Sequence, residues 1–190
     1  RVEAIPVRHA GQIIAVDGGP PRRVTTDPMT ETLASWSRDG QWIYFGSNRT
    51  GEYQIWKAPA RGGDAIQVTF DGGFRGVEAI DGAYVYYTQL PGHPNALWQI
   101  PTSGGQPVKL LEGVVSSAFT VLETGVYYLE QPSGGTRLQF FDFTTGRSTT
   151  VAPSLGDVAV FLTASPDGRT ILFTRLDSSV DDLMLVENFR

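Results

Sequence analysis

Glycine turns recur along this chain at a nearly fixed interval. Asp-Gly stands at Asp39-Gly40, Asp81-Gly82 and Asp167-Gly168, and Thr124-Gly125 holds the corresponding place between the last two. The four glycines fall 42, 43 and 43 residues apart. A fixed period in the forties is the signature of propeller blades, each a meander of four strands. A lone meander of that length cannot bury both of its faces, so it must stack against others of its kind.

The rest of the pattern keeps phase with the turns. After each glycine comes a β-branched and aromatic run: Ile43-Tyr44-Phe45, Val85-Tyr86-Tyr87, Val126-Tyr127-Tyr128 and Ile171-Leu172-Phe173. A third strand follows with Ile55-Trp56, Leu97-Trp98, Phe140-Phe141 and Leu183-Met184. A glycine turn then comes at Gly62-Gly63, Gly104-Gly105 and Gly146, and a closing strand at 66–69, 108–111 and 148–151. No window carries helical periodicity. Apolar residues come in short runs or in alternation, bounded by Gly, Pro, Asn and Asp, which reads as strand throughout. The fold class expected is all-β, a β-propeller of about four blades, each a four-stranded antiparallel sheet. Asp39-Gly40 predicts a two-residue hairpin with positive φ at both positions.

The units divide as a partial blade over 1–27, full blades over 32–69, 74–111 and 116–151, and a three-strand blade over 158–189. The partial unit supplies QIIAVD, Gly18-Gly19 and RRVTT as third strand, turn and fourth strand. Residues 2–7 are a further candidate strand. This tally fits the C-terminal part of a larger propeller. The alternative is a self-contained ring of four or five blades. In the first case unpaired sheet edges favour self-association.

The stretch SWSRDGQWIYFGSNRTGEYQIWKAPARGGDAIQVT resembles the repeat of TolB-type β-propellers: Ser-x-Asp-Gly, an aromatic strand, Ser-x-Arg-x-Gly, Ile-Trp, Gly-Gly and a closing strand. The last unit opens with the SPDG form at 165–168. The middle units depart from it, with Ala79 in place of the opening Ser and Thr124 in place of the Asp. The chain's end, from TRLQFFDFTTGRSTTVA to DDLMLVENFR, resembles the tail of large soil-bacterial proteins. In those a winged-helix regulator or a serine/threonine kinase precedes a membrane span and a propeller. The resemblance implies a sensory or scaffolding module of a bacterial signalling or envelope protein, periplasmic or otherwise extracytoplasmic.

Charge and composition narrow the partners. The net charge is −5 and the 15 basic residues are scattered, only Arg22-Arg23 being adjacent, so no basic stripe can track phosphates. No nucleic acid is expected through this domain, and no membrane contact by this segment itself. With no cysteine, disulfides and thiolate metal sites are excluded and the redox compartment is left open.

Catalytic signals are weak. No Gly-x-Ser-x-Gly elbow occurs, and no glycine-rich loop opens a helix. His9 and His93 have no second His or Cys at ligand spacing, and each Asp-Gly turn offers one carboxylate where calcium needs several oxygens. No metal and no cofactor are expected. Trp56 and Trp98 share one register in successive blades, which reads as packing between blades, whereas Trp42 follows its turn directly and is expected to be partly exposed.

The function expected is therefore non-enzymatic: a protein- or peptide-binding, or ligand-binding, module. The alternative is a propeller hydrolase, or the propeller of a peptidase lacking its catalytic domain. Binding falls to the loops joining strands two and three and those joining one blade to the next: 47–53, 70–76, 89–96, 112–117, 130–135 and 175–182. Within them Arg49, Tyr53, Arg75 and His93 are the candidate partner-binding residues.

Overall fold

The computed structural model describes residues 11–92, 94–133, 135–156, 158–165 and 167–175. All regular structure in them is β. A short pair, β1 (Gln12–Ile13) with β2 (Arg22–Arg23), precedes the first full blade, whose sheet runs β3 (Glu31–Trp36), β4 (Trp42–Ser47), β5 (Gln54–Pro59) and β6 (Ile66–Gln67). The second blade is β7 (Arg75–Glu78), β8 (Tyr84–Thr88), β9 (Asn95–Pro101) and the first half of β10 (Val108–Val121). The other half of β10 opens the third blade, which continues with β11 (Gly125–Glu130), β12 (Arg137–Asp142) and β13 (Arg147–Ala152). A hairpin of β14 (Val158–Ala164) and β15 (Ile171–Arg175) follows. The third strand expected near Leu183-Met184, the candidate strand at 2–7 and His9 lie outside the described residues.

Side chains alternate across each strand, and in a propeller both faces are buried, one against the blade before and one against the blade after. Strand β4 shows this directly. Ile43 and Phe45 join Val24 and Ala58 on the side of β1–β2, while Tyr44 joins Ile55, Val85, Tyr87 and Ile100 between blades one and two. Tyr86 then turns the other way, meeting Phe119, Val126, Tyr128 and Phe141 between blades two and three. Leu129 and Leu138 close on Leu162 of the last hairpin. Each such side chain removed from water contributes about 1.5–3 kcal/mol before entropy is counted, so the interfaces between blades are the core. Trp56 and Trp98 pack against two successive interfaces, as their shared register requires. Trp42 is partly buried.

The first strands of consecutive blades, β3, β7, β10 and β14, meet each other in that order and form the inner wall. The blades approach closely there. A Cβ on Gly46 would stand 2.3 Å from the Phe74 carbonyl oxygen, so only glycine lets the loop at 70–74 cross β4. Three of the four inner strands are irregular, with extra residues between Thr32 and Ser35, between Val114 and Phe119, and between Val158 and Leu162, while β7 keeps continuous register. Leu33, in the first of these bulges, takes φ +52°.

Three sequence expectations change on this structure. The Asp-Gly turn is wider than a two-residue hairpin: Gly40 has φ +68°, but Asp39 is not in the left-handed region. Its carboxylate instead accepts from Ser37 Oγ at 2.6 Å and Gln41 N at 2.9 Å, and Ser37 Oγ accepts from Trp42 N at 2.8 Å. The last hairpin repeats the set, Ser165 Oγ to Asp167 at 2.6 Å and Thr170 N to Ser165 Oγ at 2.9 Å. Blade three drops the device. There Leu122 N reaches Gly125 O at 2.8 Å in a tighter turn, and Gly125 serves close packing, a Cβ on it falling 2.1 Å from the Phe141 carbonyl. Finally, 112–117 is no loop. Strand β10 continues through it, bulged between Val114 and Phe119, with Gly113 at φ +83°.

Candidate functional site

Arg75 opens β7, paired with Thr88 of β8. Alternation decides where it points. Gly76 and Glu78 face blade one: a Cβ on Gly76 would touch Ile55, and Glu78 Oε1 accepts from Arg38 N at 3.0 Å. Arg75 and Val77 therefore face blade three, where Val77 joins the interface beside Phe119. Ser35 Oγ donates to the Gly76 carbonyl at 2.8 Å, fixing the strand from the other side.

The Arg75 guanidinium lies 4.9 Å from the Phe119 ring centroid and 5.9 Å from that of Phe161. It thus reaches along the inner wall from blade two past blade three to the start of the last hairpin. Its Nη1 is buried and finds no acceptor, and it enters no ion pair among the described residues. Loss of solvent lowers its pKa to about 10. Aromatic faces give a cation partial compensation, worth about 0.5–2 kcal/mol, but they do not use its N–H groups. A desolvated guanidinium with an idle donor is a site for a planar anion, which can take two parallel bonds.

Two loops frame this end of the strands and are held by side-chain amides. Gln54 Oε1 accepts from Thr69 Oγ1 at 2.9 Å and Gly72 N at 3.1 Å, while Thr69 Oγ1 accepts from Ile55 N at 2.9 Å. Gln89 Nε2 donates to the Asp71 carbonyl at 2.6 Å, joining the loop after β6 to the loop after β8, and Asn95 Nδ2 donates to the Leu90 carbonyl at 2.6 Å. These fixed loops leave Phe70 73% exposed and Leu90 63% exposed, with Phe161 53% exposed beside Arg75.

The four candidate residues fare differently. Arg75 heads β7 at the centre of the candidate site, its guanidinium between Phe119 and Phe161. Tyr53 is half-buried, its ring edge-on to Phe74 at 5.2 Å. Arg49 does not project outward: it donates to Glu31 at 2.8 Å and to Ser47 Oγ at 3.2 Å, and stacks 4.7 Å over Trp56. Its loop is short enough for the side chain to fold back onto β5. His93 lies outside the described residues. Phe119 and Phe161 were missed, although Arg75 and Phe161 occupy one repeat position, Ala118 standing between them at steps of 43 residues. Among the described residues no group of three or more His, Asp or Glu could hold a metal ion.

The chain has the fold of a TolB-like β-propeller. TolB from Acinetobacter baumannii superposes with a TM-score of 0.75 at 21% identity, over 88% of this chain and 43% of that one. A puromycin-hydrolyzing peptidase from Mycobacterium tuberculosis shares the fold at a TM-score of 0.56 and 19% identity, over 71% of this chain and 22% of that one. In sequence, an uncharacterized protein of Agrobacterium fabrum is 37% identical over 54 residues, 28% of this chain. No protein-family model matches. The chain thus spans 18% of that relative's length and less than half of the Acinetobacter TolB's.

Proposed function

We propose that this propeller is a non-enzymatic binding module whose partner is a protein or peptide, docked on the loops around Phe70 and Leu90 with a carboxylate at Arg75. The unpaired, desolvated guanidinium carries this reading. A buried cation without an acceptor costs stability unless something binds it, and a partner carboxylate would form charge-assisted bonds there. The exposed Phe70 and Leu90 supply apolar contact on loops that need little ordering, which favours affinity. The TolB-like fold supports the further reading that the module belongs to a bacterial signalling or envelope protein and works outside the cytoplasm.

The test uses capped peptides carrying one glutamate beside an aromatic residue, and their glutamine counterparts, titrated into the isotope-labelled chain. Amide shifts are expected at Arg75, Phe119 and Phe161 with the glutamate peptides, to be lost in Arg75→Gln. Equal shifts with glutamine peptides, or shifts indifferent to Arg75→Gln, would refute the anchor. Turnover of peptide esters by the purified chain would favour the enzymatic alternative.

A further inference from the structure

The repeat places two equivalent clefts at the other end of the strands, on the side of the Asp-Gly turns. The first lies between blades one and two, about 470 Å³, and the second between blades two and three, about 610 Å³. Their walls correspond residue by residue. Trp42 pairs with Pro59 and Tyr44 with Lys57 in blade one, as Tyr84 pairs with Pro101 and Tyr86 with Gln99 in blade two. The far wall corresponds too: Thr102 N bonds the Ala83 carbonyl and Phe143 N bonds the Thr124 carbonyl, each at 3.0 Å. Asp81 lines both clefts, and Glu123 adds a second carboxylate to the second.

The first cleft shows what this construction holds. The Lys57 ammonium stands 4.9 Å from the Trp42 ring centroid and donates to the Thr102 carbonyl at 3.3 Å. In the second cleft glutamine takes the lysine's place. The aromatic walls remain in Tyr84 and Tyr86, and are extended by Phe143, whose ring stacks on Tyr86 at 5.2 Å. Two carboxylates, Asp81 and Glu123, line it, and no lysine, arginine or histidine does among the described residues. Aromatic faces with nearby carboxylates are the surroundings an alkylammonium selects. The first cleft carries a second cation, Arg38, whose place Ile80 takes one blade later, so the second cleft keeps the aromatic and acidic walls and has neither cation.

We infer that the cleft between blades two and three receives a lysine side chain from a partner, in the place Lys57 fills one blade earlier. The test is calorimetric titration of the full 190-residue chain with Nα-acetyl-lysine methylamide, its norleucine counterpart and putrescine. The lysine compound should bind saturably, and at least about tenfold more tightly than norleucine. Gln99→Lys, which restores the internal cation, should weaken it by a similar factor. A second variant, Glu123→Gln at an exposed position, should weaken it about threefold and keeps the test independent of any effect of Gln99→Lys on folding. Equal binding of norleucine, or unchanged binding in both variants, would overturn the inference. Putrescine binding about tenfold more tightly than the capped lysine would overturn its assignment to a side chain.

Discussion

Nη2 of Arg49 donates to Oε1 of Glu31 at 2.8 Å, with the arginine side chain 12% and the glutamate 3% exposed. This pair ties the loop after β4 to the start of β3. The other Glu31 oxygen accepts from Gly11 N at 2.9 Å and from Thr25 Oγ1, so the glutamate also holds the segment before blade one. A charge so enclosed depends on its partners.

Arg49→Ala should therefore destabilise the chain by about 3 kcal/mol, because breaking a buried pair leaves an uncompensated carboxylate. Chemical denaturation measures this. A loss under about 0.5 kcal/mol, the usual effect at an ordinary surface position, would show that the pair does not hold the fold.

Acid should weaken the turns. Hydrogen bonds from Ser37 and Gln41 hold the Asp39 carboxyl below its ordinary value, and Ser165 and Arg169 do the same for Asp167. A carboxyl with a depressed pKa stabilises the fold fully above its unfolded value, near 3.9, and this is lost as pH falls through the lower folded value. The melting temperature should stay level down to about pH 5 and decline below about pH 4. The double variant Asp39→Asn, Asp167→Asn should melt lower at neutral pH and lose part of that acid slope, as differential scanning calorimetry at pH 3–7 would show. Asp142 and Glu112, also depressed, account for the remainder.

Glycine matters here in two separable ways. At Gly40, φ is +68° and a Cβ would meet nothing within 4 Å, so Gly40→Val should cost about 1–3 kcal/mol through backbone strain alone. Gly46→Ala drives a Cβ into the Phe74 carbonyl and should cost about 3 kcal/mol by forcing the loop off β4. Urea titrations of the two variants, with the Tyr53 ring resonances reporting by NMR on the Phe74 loop, separate them. Only Gly46→Ala should disturb that signal.

Arg75→Met should make the protein more stable while removing the proposed carboxylate anchor. Replacing an unpaired, desolvated charge by a methionine between two phenylalanines is expected to gain about 1 kcal/mol, or about 2–4 °C in melting temperature. A lower melting temperature would show that Arg75 is there to hold the fold.

The blade plan was legible because its signals are local and repeat: Gly40, Gly82 and Gly168 sit at one turn position, and Tyr44 and Tyr86 alternate with their neighbours in the same phase. Gly125 misled because one residue type served two purposes, turn flexibility in three units and close approach to Phe141 in the fourth. The site was half legible. Arg75 stands out as a cation at the head of an inner strand, but it and its two aromatic neighbours come from three different blades, and although Phe161 shares its repeat position, nothing in the linear order aims the guanidinium at Phe119. The inward turn of Arg49 is hidden for the same reason in reverse, since the glutamate that captures it lies across the sheet.

Strand β10 has a consequence for how the molecule comes apart. Because it is the last strand of one blade and the first of the next, a single ladder of seven strands runs from β7 to β13. Those two blades are joined through one unbroken strand whose two ladders meet at Val114, whereas blade one meets its neighbour through side chains and a crossing loop. Amide hydrogens of the β10–β11 ladder should therefore exchange only when the whole seven-stranded body opens, and those of blade one earlier. A pull that separates blades would peel the first one away and leave the pair of blades that share β10 as one cooperative unit.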